Sequence, residues 1–183
     1  LNELSPFTLG ELFYLFEMAV AYMGELMNIN AFDQPGVELA KVYTYSTQTE
    51  PFLHLDGDVF LWKTLDADFL NSRLFAQNLD KNLEFYENTL LQINEHFGYI
   101  PQVMEKGYFQ GRDIYAGNAG LMGGYDLDFF DAYGEQAFTF VDKNKDYLDR
   151  VNTGNLNFIF EQYLFCQLAA TKTIPVNYYK GIV

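Results

Sequence analysis

Apolar positions Leu9, Leu12, Phe13, Phe16, Val20, Met23 and Met27 recur with the helical period, which predicts a helix over about residues 8–28. Thr8-Leu9-Gly10-Glu11 reads as its capping box, with Phe7 and Leu12 at hydrophobic-staple spacing. Asn30 to Gly36, broken by Pro35, reads as a loop, and a second helix follows over about 36–47. The pattern changes at Pro51. Phe52-Leu53-His54-Leu55 is a short apolar run of strand type ending in Asp56-Gly57-Asp58, and Val59 to Trp62 reads as a second extended run. A helix at 81–97 carries Leu83, Tyr86, Leu90, Ile93 and Phe97 on one stripe, and 98–113 reads as loop. Ile114 to Met122 is apolar and small, followed by Gly123-Gly124. Asp126 caps a helix to about 143, with Phe129, Phe130, Tyr133, Ala137 and Phe140 inward. Residues 156–171 are apolar nearly all round, hence a buried helix, and 174–179 reads as a final strand. Strands alternating with helices predict an α/β layer structure.

Composition narrows the function. At 183 residues and 49% hydrophobic, the chain can build one core, or one domain plus a fragment. A net charge of −14 leaves no basic face for nucleic acid or an anionic membrane, so a phosphate ligand needs a metal ion, backbone N–H groups or a few placed cations. The single cysteine, Cys166, excludes an internal disulfide and a Cys-rich zinc site, and its apolar helix predicts inert burial. The most apolar windows are cut by Glu11 and Glu17 and by Glu161 and Gln162, so no membrane span is expected. With no signal peptide visible, the expected place is the cytoplasm; a start at Leu1 suggests a processed chain or an internal fragment. Trp62 and the Tyr and Phe clusters are expected in the core. Asp142 to Asp146 resembles half a calcium loop, but Tyr147 and Thr153 occupy the positions of its glycine and bidentate glutamate. Gly117, Gly120, Gly123 and Gly124 do not form a dinucleotide fingerprint.

Two strings carry candidate chemistry. In the first, Glu38 and Lys41 lie one helical turn apart, and spacing alone reads as a solvated face with an ion pair. Gly24-Glu25-Leu26-Met27, then Phe32-Asp33-Gln34-Pro35-Gly36-Val37-Glu38-Leu39-Ala40-Lys41, resembles the C-terminal signature of glucose-6-phosphate isomerases, and Ser5 to Leu12 looks like the run into it. The resemblance covers about residues 2–41. It implies that Lys41 matches the lysine assisting sugar ring opening and Gln34 the substrate-contacting glutamine. Aldose–ketose isomerisation also needs a base at the C1 and C2 protons. The family's glutamate and histidine come from segments absent here, and neither His54 nor His96 sits in matching context, so no isomerase activity is expected of this chain alone.

In the second, Asp56 and Asp58 stand two residues apart at a strand end, a spacing that on a strand faces one side and suits Mg²⁺ or Mn²⁺. Asp-Gly between two extended runs is equally a hairpin turn. His54 reads as a structural histidine. Phe52 to Lys63 resembles the metal-binding D-x-D segment of GT-A glycosyltransferases, above all an uncharacterised bacterial family of that type. Asn118-Ala119-Gly120 is similar to their Asn-x-Gly strand, and Phe160-Glu161-Gln162 to their late acidic helix start. This implies an incomplete GT-A-like mixed sheet with flanking helices, preceded by an N-terminal helical segment. It also implies Mn²⁺ or Mg²⁺ and nucleotide at Asp56 and Asp58, a sugar site at Asn118 and Gly120, and weaker roles for Glu161 and Gln162. The nucleotide-binding half that precedes the D-x-D in such enzymes is replaced here, and their late metal-ligating histidine is missing. The two resemblances overlap at 36–46, which reads as a joint, a natural fusion or an assembly chimaera, between segments 1–45 and 46–183. The 8–28 helix is a candidate homodimer contact.

Overall fold

A computed structural model describes residues 34–105, 107, 111 and 113–179, with the side chains of 34–38 excepted, and positions 14, 15, 18 and 22 in helical backbone. The 8–28 helix as a whole, its capping box, its dimer role and the side chains of Gln34 and Glu38 lie outside the described residues.

Helix α1 spans Gln34–Ser46, so the expected loop gives way to helix two residues earlier. Pro35 falls in the first turn, where its missing N–H is not needed. Strand β1 (Phe52–Leu55) pairs antiparallel with β5 (Leu121–Gly124), matching His54 to Met122 and Leu55 to Leu121. On the far side of β5, β2 (Leu74–Ala76) is antiparallel, and β6 (Val176–Tyr178) continues from β2 in parallel. The result is a mixed four-stranded sheet, β1-β5-β2-β6. A separate ribbon pairs β3 (Leu79–Lys81) with β4 (Tyr115–Gly117). This is a mixed α/β fold with flanking helices, as the alternation of patterns predicts.

The helices pack where their stripes point. Helix α2 (Ala67–Leu70) is one turn capped by Asp66 and buries Phe69. In α3 (Glu84–His96), Tyr86, Leu90 and Ile93 are buried, while Leu83, just before it, is exposed. Helix α5 (Leu127–Lys143) is capped by Asp126, whose carboxylate accepts from the Phe129 N–H at 3.3 Å. All five of its predicted inward residues are buried. Helix α5 lies close on α1: a Cβ at Gly134 would sit 2.6 Å from Ser46 Cβ, so the contact requires glycine. Val42 and Tyr45 of α1 are themselves in the common core. The predicted 156–171 helix begins earlier and is not uniform. It runs as α6 (Thr153–Asn157), a π-helical stretch Phe158–Tyr163, and α7 (Leu164–Thr171). Cys166 is buried there, and burial pushes its thiol up to about 11, which keeps it inert. Among the described residues, no helix is long and apolar enough to cross a membrane.

Several expectations fail. Residues 59–62 form no strand: β5 from far along the chain takes the ladder that a hairpin partner would have taken, and the Val59 N–H turns back onto the Asp56 carbonyl at 3.0 Å. Trp62 is therefore not core but 92% exposed. β2 and β3, three residues each, are too short to show a period. The 98–113 loop contains a helical turn, α4 (Gln102–Glu105), directly after Pro101.

Candidate functional site

The site lies where β1 ends. His54 and Asp56 project on the same side, and His54 Nε2 lies 2.9 Å from Asp56 Oδ1. Tyr45 from α1 sets its ring edge against the imidazole, with centroids 5.1 Å apart. The structural reading of His54 therefore has a partner in the candidate pair itself. The Asp56 N–H donates to the Gly120 carbonyl at 2.9 Å, tying the end of β1 to the turn before β5.

Lys41 reaches this point from α1. Its Nζ is 3.0 Å from Asp56 Oδ1 and 2.9 Å from Glu161 Oε1. Lys41 is thus not on a solvated face: its side chain is 17% exposed, and that of Glu161 only 2%. Tyr45 OH also approaches Glu161 Oε1 at 3.5 Å, and Tyr133 OH donates to the Glu161 carbonyl at 2.8 Å. That carbonyl belongs to the π-helical stretch, a geometry that frees backbone groups and recurs at functional sites. Burial pushes the Asp56 carboxyl up, but hydrogen bonds and charge from His54 and Lys41 outweigh it and hold the group below the ordinary carboxylate value.

A second polar group adjoins the first. Asn118 Oδ1 accepts from the Gly120 N–H at 3.0 Å, and the Asn118 N–H donates to the Asn78 carbonyl at 2.9 Å. The Gln77 side chain packs over Gly120, where a Cβ would meet Gln77 Oε1 at 2.2 Å and push that amide aside. That Gln77 oxygen is buried and has no hydrogen-bond partner among the described residues. Asn78 Nδ2 donates to Asp80 Oδ1 at 2.7 Å. Tyr86 OH donates to Gln162 Oε1 at 2.6 Å and lies 3.5 Å from Asp80 Oδ2. Burial pushes the Asp80 carboxyl up, and hydrogen bonds from Asn78, Tyr86 and Asn118 only partly offset it. Glu161 and Gln162, consecutive on the π-helical stretch, therefore serve one group each.

The structure brings together Lys41, Asp56, Asn118, Gly120, Glu161 and Gln162 from four separate segments. It does not place Asp58 beside Asp56 on a strand face, because β1 ends at Leu55 and Asp58 is exposed in the turn. Among the described residues there is no cluster of three or more His, Cys, Asp or Glu side chains that could hold a metal. Asp56 gives one carboxylate oxygen to both Lys41 and His54, and Asp58 is exposed in the turn beyond it, so the two do not form a preset carboxylate pair. Sequence reasoning missed Asp80, Asn78 and Tyr86. The one available signal was Asn78-x-Asp80, two polar residues at alternate positions where β3 begins.

Comparison with known proteins gives a family and a short local likeness. Residues 20–182 match a family described as "Family of unknown function (DUF6734)". The chain belongs to that family. The match runs across residues 36–46, where two resemblances overlap. Glucose-6-phosphate isomerase from Carboxydothermus hydrogenoformans is 57% identical over 44 residues, 24% of this chain and 10% of that protein. The enzymes of that name from Dechloromonas aromatica and Methanocaldococcus jannaschii are 48% identical over 59 residues and 51% over 41. They are covered by this chain to 11% and 10% of their length, against 32% and 22% of the chain itself. The chain thus spans about a tenth of the isomerases it resembles. No solved structure matches.

Proposed function

We propose that this member of the family binds a nucleotide-sugar in a metal-dependent, glycosyltransferase-like site built on Asp56 and Asp58. The observation that carries the reading is the 2.9 Å hydrogen bond from the Asp56 N–H to the Gly120 carbonyl. It fastens the acidic turn to the Asn118–Gly120 turn, so metal-type and sugar-type residues share one end of the sheet. In a chain of net charge −14, a diphosphate needs local positive charge. A divalent cation would supply that charge when bound, held by Asp56 at the end of β1 and by Asp58 from the turn beyond it rather than by a pair on one strand face. The remaining work falls to the chain. Asn118 and Asp80 offer an amide and a carboxylate to sugar hydroxyls, and Gln162 fixes Tyr86 against Asp80.

The test is thermal unfolding with and without Mn²⁺ plus uridine diphosphate. Ligand at a hundred times its Kd adds about 2.7 kcal/mol, a rise of roughly 5–10 °C for a chain of this size. The rise should vanish in Asp58→Ala. A cooperative melt that ligand does not move, or an equal rise in Asp58→Ala, would sink the reading and leave a folded fragment without a donor site. The second reading, a glucose-6-phosphate isomerase role for the segment carrying Gln34 and Lys41, is supported by the short matches to those enzymes, while Lys41 is engaged by two carboxylates. Turnover of glucose 6-phosphate that disappears in Lys41→Ala would favour it, and no turnover would sink it.

A further inference from the structure

We infer that the cleft between α3 and α6 is a binding site for a neutral saccharide, separate from the residues around Asp56. Its construction starts in the sequence of α3. Positions 85, 88 and 92 lie three and four residues apart, so they share one helix face. That face is distinct from the one that sends Tyr86, Leu90 and Ile93 into the core. The opposite wall is Asn152 and Asn155, from the start of α6. Asn152 stands at the N-cap of α6 without making the capping hydrogen bond, which leaves its amide for the cleft. The two walls are joined, because the Asn152 N–H donates to Gln92 Oε1 at 2.8 Å. Between them lies a cleft of about 600 Å³, within the roughly 300–1,000 Å³ of small-ligand sites.

The lining decides the ligand class. Asn88, Gln92, Asn152 and Asn155 bring four carboxamides, Glu84 brings one charge, and among the described residues no lysine or arginine lines the cleft. In a chain of net charge −14, such a lining repels phosphates and sugar acids. A carboxamide both donates and accepts, as a hydroxyl does, so it matches a polyol without any charge. The orientation of Gln92 is settled: a backbone N–H can only donate, so the amide oxygen is turned to Asn152 and the NH2 group is left as a donor. The apolar part is Phe85, half-buried, with its ring packed on Tyr86 and Phe158 at centroid distances of 4.3 Å and 5.1 Å. What it offers the cleft is a one-sided platform. A pyranose has one C–H face for such a ring and hydroxyls around its edge for the amides, whereas a flat base is held between two side chains. A peptide taken as an added strand needs a sheet edge, and none of the lining residues lies in a strand. The inference does not rest on the nucleotide-sugar reading.

The measurement is an NMR titration of the isotope-labelled full chain, read on the carboxamide NH2 signals. The probes are maltose, cellobiose and lactose, each up to about 20 mM, which reads Kd values of the millimolar class. At least one of the three should shift the signals of Asn88, Gln92 and Asn155 saturably, and glucuronic acid and uridine should not. Phe85→Leu and Asn155→Leu should each weaken binding at least tenfold. If Phe85→Leu does not melt cooperatively, Asn88→Leu, at an exposed position of α3, carries the same expectation. No saturable shift with any of the three sugars, full affinity in the folded Asn88→Leu and Asn155→Leu variants, or a response to uridine in place of sugar would overturn the inference. The two ideas fail separately. Saccharide binding in a chain that uridine diphosphate never stabilises would keep the cleft and sink the nucleotide-sugar reading. A nucleotide-dependent shift without saccharide binding would do the reverse.

Discussion

The pairing of Lys41 with Glu161 makes a quantitative claim about stability. Removing one partner of a buried pair typically costs about 3–5 kcal/mol, because the other is left charged and desolvated. Glu161 is 2% exposed, but Lys41 is 17% exposed and shares its charge with the partly exposed Asp56, so the lower end applies. We expect Lys41→Met to lose about 3 kcal/mol, and the midpoint to fall by roughly 6–12 °C. Glu161→Gln keeps the shape and an oxygen for Lys41 and Tyr45, and should lose about 1 kcal/mol. In the double variant no buried charge is stranded, so its loss should be near 2 kcal/mol, not the 4 of the summed singles. Urea unfolding of the four proteins, at fixed salt and without divalent metal, measures the cycle. A coupling below about 0.5 kcal/mol would show that the two residues act independently, and would refute the central role given to this ion pair.

Two carboxylates in adjoining groups should respond to pH with opposite signs. Asp56 is held below the ordinary value, so its contribution is present above pH 3.8 and is lost as pH falls through its folded pKa. Asp80 is pushed up, so folding is favoured below pH 3.8 and this contribution is lost as pH rises through the folded pKa. Midpoints recorded from pH 3 to pH 7 should show Asp56→Asn destabilising at neutral pH and near wild type at the acid end. Asp80→Asn should gain at neutral pH and give that gain up on acidification; the same sign for both would refute the assignment. Gly120→Ala places a methyl 2.2 Å from Gln77 Oε1 and should lose about 1–3 kcal/mol, with Gln77→Ala restoring much of it. Failure of that rescue, read by the same urea titration, would mean that the turn rather than the side chain demands glycine.

The long periodic segments were legible because their stripes are set by the core they face. The inward residues of α5 are all buried, and the Asp126 cap is made. The short elements were not, because a three-residue strand such as β2 or β3 has no period and owes its existence to partners far away in the chain. The same cause misplaced Trp62: an apolar run predicts burial only if something covers it, and beyond the turn at Asp56 nothing among the described residues does. At the site, residue types were legible and partnerships were not. Asp56 and Asp58 were paired by strand periodicity, but the strand stops one residue short, and Asp56 is partnered instead by His54 and Lys41. Lys41 and Glu161 were assigned to different resemblances, and only the fold puts them 2.9 Å apart.

That last contact bears on where the folding unit begins. Lys41, Val42 and Tyr45 are spaced so that one face of α1 turns toward the sheet end and α5. Val42 and Tyr45 are fully buried there, and Tyr45 stacks on Phe52 with centroids 5.6 Å apart. A helix that had merely been joined to a foreign domain would have no cause to fit its face to that domain so closely. Losing a buried tyrosine and a buried valine costs about 3–5 and 1–2 kcal/mol respectively by large-to-small comparison, before the exposed surface of α5 is counted. Those losses approach the whole stability of a typical domain. A chain beginning at residue 47 should therefore melt more than 10 °C below the full chain or without a cooperative transition, whereas one beginning at residue 20, where the family match starts, should melt within a few degrees of it. Circular dichroism melts of the two truncations decide the matter. A 47–183 chain as stable as the full one would mean that α1 is an appendage, and that the boundary at 45/46 divides two independent pieces.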